Sequence, residues 1–371
     1  MLKSFSVKNF KQFKSLTMDF SDVRDYGFSK DCLTKHKHPL IKTAIVYGPN
    51  ASGKSNLGFA IFDIVYHLVD RVLQHDAYDY YLNADHPTEA AEFSYTFVFG
   101  RNLIEYSYTK QNPTKLLSEK LLINGKHIFS WDWNSGEPVP DLSGLKNCNL
   151  NSLNFVYWNY RIPLLRYIAN NSVLDEKSPI RQLMDFVGSM LWFRRVDKSN
   201  NFMGLQSNVE KIDDFIIQKN LTEEFERFLN ENQVDEKIEV RKTPDGRGNL
   251  YFKHQRPIPF FETASSGTLA LAVYFYWLHY VEKASFLFMD EFDAFYHFEI
   301  ARDIVEQAKK FKCQTVLTTH NTGLLNHNLV RPDVCFIMDK GVLKSFANMT
   351  NRELRQGNNL EKLFISGEFN G

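Results

Sequence analysis

Apolar and polar residues alternate in two short runs from Leu2 to Phe20, which predicts two strands, with Lys8, Asn9, Phe10, Gln12 and Phe13 at the turn between them. A polar stretch, 21–39, separates them from a wholly apolar run, Ala44 to Tyr47, which reads as a buried strand. Leu57, Ala60, Ile61, Ile64 and Val65 then recur at helical spacing, so a helix should run from Lys54 to about Leu73. Strand-like runs follow at 92–99, 104–109 and 116–123. Asn124 and Gly125 are a two-residue hairpin signal before a further strand at 127–131. From about Arg161 to Asn230 the pattern is mostly helical. It includes 179–192 and 209–230, the latter with Ile212, Phe215 and Ile216 on one side. A hairpin, 237–242 with 249–254, is turned by Pro244, Asp245 and Gly246. The last third alternates: a helix from Ser265, a strand at 286–289, a helix from about Phe298, a strand at 315–318, and strands near 334–338 and 342–345. That succession predicts a mainly parallel α/β sheet with helices on both faces, interrupted by the helical middle.

The sharpest chemical signal follows the strand that starts at Ala44. Gly48, Pro49, Asn50, Ala51, Ser52, Gly53, Lys54 and Ser55 form G-x-x-x-x-G-K-S, with the helix continuing through Asn56. Glycines let backbone N–H groups approach a phosphate, and the helix points its positive end at it. Lys54 would reach the β- and γ-phosphates, and the Ser55 hydroxyl would hold Mg²⁺, so ATP and Mg²⁺ are the expected ligands.

The strand at 286–289 ends in Asp290 and Glu291. On their own these fit a solvated strand end. Beside a P-loop, Asp290 would complete the Mg²⁺ shell and Glu291 would act as general base on the attacking water. Ser265, Ser266 and Gly267 open a helix just upstream and fit a plain N-cap equally well. His320 follows the strand at 315–318, with an imidazole that can donate or accept near neutral pH.

The order P-loop, Ser265 loop, Asp290-Glu291, His320 resembles the ABC-type ATPases, in which a serine-glycine signature loop approaches a γ-phosphate held by the other protomer. In that family His320 would be the switch histidine. Asp293 and His297 lie where the D-loop crosses, although the run from Phe292 to His297 departs from its usual small-residue pattern. The opening Val7, Lys8, Asn9, Phe10 and Phe13 resembles the first hairpin of RecF-, SMC- and OLD-type ATPases. The tail, Asn351 to Arg355 and Asn359 to Gly367, resembles compact stand-alone members found in bacterial antiphage defence loci. The resemblance implies an ABC-type head with a mixed sheet, flanking helices and a mostly helical insertion, divided as 1–150, 151–235 and 236–371. It also implies a head-to-tail homodimer around ATP. No long coiled coil and no appended nuclease domain can be placed, so a separately encoded effector, a nuclease or toxin, is the expected partner. The Q-loop glutamine has no clear counterpart; Gln111 reads as a loop amide.

Composition narrows the alternatives. Net charge is zero, so the chain is not a general electrostatic binder of nucleic acid. A RecF-like DNA-maintenance role stays open through Arg194, Arg195, Arg241, Lys242, Arg247, Lys253 and Arg256. With 32 Phe and 17 Tyr the chain is not disordered. Cys32, Cys148, Cys313 and Cys335 form no C-x-x-C pair and read as reduced core thiols of a cytoplasmic protein. His36 and His38 read as a solvated loop rather than a metal site. No signal peptide and no apolar run of about 18 residues is visible, so no membrane span is expected and nothing requires a membrane.

Overall fold

The computed structural model describes residues 1–69, 78–135, 142, 153–155, 158–159, 161–196, 199–205, 210–242, 248–326 and 328–369. In chain order, the first half contains β1 (Leu2–Phe10), β2 (Phe13–Asp19), β3 (Thr43–Tyr47), α1 (Lys54–Leu68), β4 (Ala91–Phe99), β5 (Asn102–Asn112), β6 (Lys115–Ile123) and β7 (Lys126–Asp132). The middle adds α2 (Leu164–Asn171), α3 (Pro179–Gly188), β8 (Met190–Val196), β9 (Ser199–Gly204), α4 (Ile212–Gln218) and α5 (Thr222–Glu231). The remainder is β10 (Ile238–Lys242), β11 (Gly248–Phe252), β12 (Ile258–Pro259), α6 (Phe260–Thr263), α7 (Ser266–Val281), β13 (Phe286–Asp290), α8 (Phe298–Ala308), β14 (Gln314–Thr319), β15 (Cys335–Asp339), β16 (Val342–Ser345) and α9 (Leu360–Ile365). Cys148, the 244–246 turn and the expected helix end at Leu73 lie outside the described residues.

Among the described residues these elements form three sheets. An antiparallel sheet runs β2-β1-β4-β5-β6-β7, a small one runs β10-β11-β12, and the third runs β16-β15-β3-β14-β13-β8-β9. In the third, every pair from β15 through β3, β14 and β13 to β8 is parallel, and only the edges β16 and β9 are antiparallel. Every residue of β3, β13 and β14 is buried, as parallel strands covered on both faces require. This is the mixed α/β architecture expected for the chain.

Helix α1 joins the two large sheets and is buried almost all round. On one side Gly58 lies so close to Trp192 and Phe288 that an added Cβ would stand 2.7 Å from the indole nitrogen. On the other, the Tyr95 hydroxyl donates to the Ala60 carbonyl at 3.1 Å. Asp63 accepts from Lys110 at 2.6 Å and from the Tyr81 and Tyr108 hydroxyls, each at 2.8 Å, so its buried charge is paired and hydrogen-bonded. A second relay leaves the same helix. His67 bonds the Tyr106 hydroxyl, which donates to Glu119, and Glu119 caps α2 by accepting from the N–H groups of Leu164 and Leu165.

The middle segment departs from the helical expectation in two places. The expected helix at 179–192 stops at Gly188, and Met190 to Val196 form β8, a strand in the interior of the third sheet. The apolar run Phe186 to Phe193 suits either element, and the open edge of β13 decides it by offering a full ladder. The expected helix at 209–230 divides into α4 and α5, because Asn220 takes a left-handed turn, φ 56°, that asparagine tolerates.

Candidate nucleotide site

The P-loop follows β3 at the C-terminal edge of the parallel sheet, between β15 and β14. Gly48 has no room for a side chain, since a Cβ would lie 2.5 Å from the Met338 carbonyl oxygen. Gly53 sits at φ 112°, a conformation that suits glycine, and opens α1. Pro49, Asn50 and Ala51 form an exposed rim, while Ser52, Gly53 and Lys54 are buried and Ser55 and Asn56 are half-buried. The Lys54 ammonium folds back and donates to the Gly48 and Pro49 carbonyls at 2.7 and 2.9 Å. Burial lowers its pKa, and the charges of Glu291 and Asp290 oppose that shift.

Gln12, at the turn between β1 and β2, reaches across to this loop. Its Nε2 donates to the Ser52 carbonyl at 2.8 Å, and its Oε1 accepts from Asn56 at 2.7 Å. Sequence reasoning placed Gln12 at a turn and saw no link to the P-loop, because the contact spans a separation that local pattern does not encode.

Asp290 and Glu291 stand at the end of β13. The Thr318 hydroxyl on β14 donates to Asp290 Oδ1 at 2.7 Å and accepts from the Glu291 N–H at 2.7 Å. One threonine thereby orients both acids. Glu291 itself adopts φ 48°, a left-handed conformation rare for a side-chain-bearing residue outside constrained sites. Burial raises the Asp290 pKa, opposed by the charge of Arg194 and by the Ser55 and Thr318 hydroxyls.

Arg194 is the site residue that local sequence pattern does not reveal. In the alternative, RecF-like reading it is one candidate contact to nucleic-acid phosphate. Instead, strand register sets it opposite Asp290, and its guanidinium lies among the acids. Nη2 donates to Glu291 Oε2 at 2.5 Å, and Nη1 donates to Ser55 Oγ at 3.1 Å and stands 3.5 Å from Asp290 Oδ2. The P-loop serine and both carboxylates are therefore gathered around one cation.

The donor set suits a divalent cation. Asp290 Oδ2 is buried without a hydrogen-bond partner, and the half-buried Ser55 hydroxyl shares its arginine neighbour. Two hard oxygens, one anionic, match magnesium, which draws its other ligands from phosphates and water. Among the described residues no group of three or more His, Cys, Asp and Glu side chains could hold a metal alone.

The other expected site residues lie elsewhere. Ser265 caps α7, its Oγ accepting from the Thr268 N–H at 3.1 Å. Ser265 and Gly267 line a cavity of about 500 Å³ with Phe295, Tyr296, His297 and the 232–236 turn, and no P-loop residue is among its lining residues. Ser265 and Ser266 are exposed. His320 is exposed just beyond β14, while Asp293 is buried and accepts from the Thr319 hydroxyl at 2.7 Å. Gln111 is an exposed residue of β5.

A P-loop after β3, an acid pair at the end of β13 one strand beyond its neighbour β14, and a parallel sheet define a P-loop nucleoside-triphosphatase fold. The chain belongs to the family described as "AAA domain, putative AbiEii toxin, Type IV TA system", whose pattern it matches over residues 44–326. No curated protein matches it. Among solved structures it is similar to an Smc head domain with an extended coiled coil from Pyrococcus furiosus, in complex with the C-terminal domain of ScpA: 15% identity, 100% of this chain and 99% of that one, TM-score 0.45. It is also similar to the SMC head domain from Thermotoga maritima, at 16% identity, 92% and 97% coverage and TM-score 0.42. A third similarity is to the recombination mediator RecF with ATP, at 13% identity, 93% and 99% coverage and TM-score 0.40. No helix among the described residues is long and apolar enough to cross a membrane.

Proposed function

We propose that the chain binds Mg·ATP at the P-loop and hydrolyses it. The observation that carries this reading is the convergence of Ser55, Asp290 and Glu291 on one guanidinium beside the N-terminus of α1. Lys54 would leave the Gly48 and Pro49 carbonyls for the β- and γ-phosphates, exchanging two neutral acceptors for charged ones. Ser55 and Asp290 would hold magnesium, which neutralises charge building on the phosphate oxygens. Glu291, fixed by its own strained backbone and by Thr318, would take the proton of the attacking water. His320 would contact the γ-phosphate from the end of β14.

The Ser265 loop serves this reading only in a second copy. It is exposed and opens on a different cavity, and its helix carries no acidic residue in the first turn. We infer a head-to-tail homodimer in which Ser265, Ser266 and Gly267 meet the γ-phosphate of the partner's nucleotide. ATP would close the dimer and hydrolysis would open it, gating a separately encoded nuclease or toxin in antiphage defence. On the expected division into 1–150, 151–235 and 236–371, the effector would be met through α4 and α5 of the middle segment, since β8 belongs to the ATPase sheet.

The test is the solution mass of Glu291→Gln protein with and without Mg·ATP. A dimer only with nucleotide is expected. A persistent monomer refutes the shared site and leaves Ser265 as a helix cap. Ser265→Arg should bind ATP yet lose turnover and the dimer together.

A further inference from the structure

We propose that Arg194 is a resident cation that occupies the divalent-metal position of the nucleotide-free protein and has to be displaced before metal can bind. The proposal rests on the reading of Ser55 and Asp290 as metal ligands and adds to it an internal competitor for their oxygens.

Three observations carry it. The first is position. Nη1 bonds Ser55 Oγ and stands 3.5 Å from Asp290 Oδ2, so one NH₂ group faces both oxygens a metal would take. A metal ion and a guanidinium cannot share that space, and their charges repel. The second is incompleteness. Arg194 Nε is buried without an acceptor, and Arg194 meets Asp290 Oδ2 only at 3.5 Å, without a well-formed hydrogen bond. A guanidinium meant to stay would satisfy its fork, as Arg331 does with both oxygens of Asp333 at 2.6 and 2.9 Å. The Arg194–Asp290 contact, at 3.5 Å, is thus a weaker version of an ion pair this same protein builds well elsewhere. The third is restraint. Parallel pairing of β8 with β13 sets Arg194 opposite Asp290, so the side chain can swing while its root stays at the site.

The consequence is an ordered site. Without nucleotide Arg194 offsets one of the two acid charges and covers the oxygens, so divalent cations in solution gain less by entering. Nucleotide phosphates offer the guanidinium an alternative anion and supply the remaining metal ligands, so metal and nucleotide enter together. Arg194 is a positioning residue in this scheme: it holds Glu291 by Nη2 and keeps the metal oxygens covered.

The experiment measures Mn²⁺ binding to the full chain without nucleotide, from the loss of the free-Mn²⁺ electron-spin resonance signal. Mn²⁺ is a hard, octahedral stand-in for Mg²⁺. Removing a positive charge a few ångströms from the metal position should tighten Mn²⁺ binding by about tenfold or more in Arg194→Gln. Asp290→Asn added to that variant should abolish the gain. A merely structural arginine would leave affinity unchanged or lower it. Arg194→Lys keeps the charge but cannot bridge Ser55 and Glu291 at once, so it should bind Mn²⁺ more tightly than wild type and less tightly than Arg194→Gln. If Arg194→Gln does not fold, Arg194→Lys decides, and wild-type affinity in it overturns the proposal. Wild-type affinity in folded Arg194→Gln overturns it likewise. Binding of a fluorescent ATP analogue to wild type separates the two levels. If ATP binds and the Mn²⁺ affinities are equal, only the role of Arg194 falls. If ATP does not bind, the nucleotide reading fails and this proposal with it.

Discussion

Gln12→Ala isolates the contact through which the first hairpin holds the P-loop. The amide makes two hydrogen bonds: to the carbonyl of buried Ser52 at 2.8 Å and from Asn56 at 2.7 Å. The second is exposed and contributes little. The first satisfies a carbonyl on a buried residue and is worth about 1 kcal/mol net. Truncation also opens space above Gly53, whose added Cβ would have met Gln12 Nε2 at 2.4 Å, so water can reach the freed carbonyl and limit the cost. The expected loss is therefore about 1 to 1.5 kcal/mol in loop order. If the loop must be ordered to bind phosphate, the same energy appears as a five- to tenfold rise in Kd, about 1.4 kcal/mol being tenfold. The assay is titration with a fluorescent ATP analogue alongside urea unfolding. Gln12→Glu sharpens it, because the carboxylate keeps the Asn56 bond but turns an acceptor toward the Ser52 carbonyl. It should bind no better than Gln12→Ala. Unchanged affinity and unchanged unfolding midpoint in Gln12→Ala would refute the reasoning. A loss of stability with full affinity would make the bridge a scaffold contact only.

Three other perturbations probe the acids and the relays from α1. Glu291→Gln should keep ATP affinity and lose turnover by roughly 10² to 10⁴, as removal of a general base does, measured by phosphate release. Lys110→Met should cost about 3 kcal/mol in urea unfolding, because Asp63 keeps its two tyrosine donors but loses its buried counter-charge; adding Asp63→Asn should recover part of it. Burial holds Glu119 up to about 7 from 4.5, against the pull of the Tyr106, Leu165 and Leu164 donors. A raised pKa contributes stability that is complete below 4.5 and is lost as pH rises through 7, so the unfolding free energy of wild type relative to Glu119→Gln should fall by about 3 kcal/mol across that interval.

The parts of the site that were legible in the sequence are those in which geometry follows from neighbours in the chain. The P-loop is one continuous strand, turn and helix, so eight residues state both its conformation and its chemistry. The strand ending in Asp290 and Glu291, the Asn124-Gly125 hairpin with φ 54° and 73°, and the cap at Ser265 are equally local. What escaped is non-local. Gln12 meets Ser52 only after the first hairpin folds over α1. The run from Phe186 to Phe193 fits a helix as well as a strand until β13 offers a ladder, and the helical assignment hid the parity that matters. On a strand adjacent side chains diverge, so register alone decides which residue of Met190 to Val196 faces the acids. Register pairs Asp290 with Arg194, and a shift by one residue toward the start of β8 would have put Phe193 there instead. A basic residue read from composition as an outward contact for phosphate backbone is, by that single alignment, turned inward on the site's own anions. The charge that seemed available to an outside partner is already committed inside, which weakens the nucleic-acid reading by one of its named arginines and strengthens the reading of β8 as part of the ATPase.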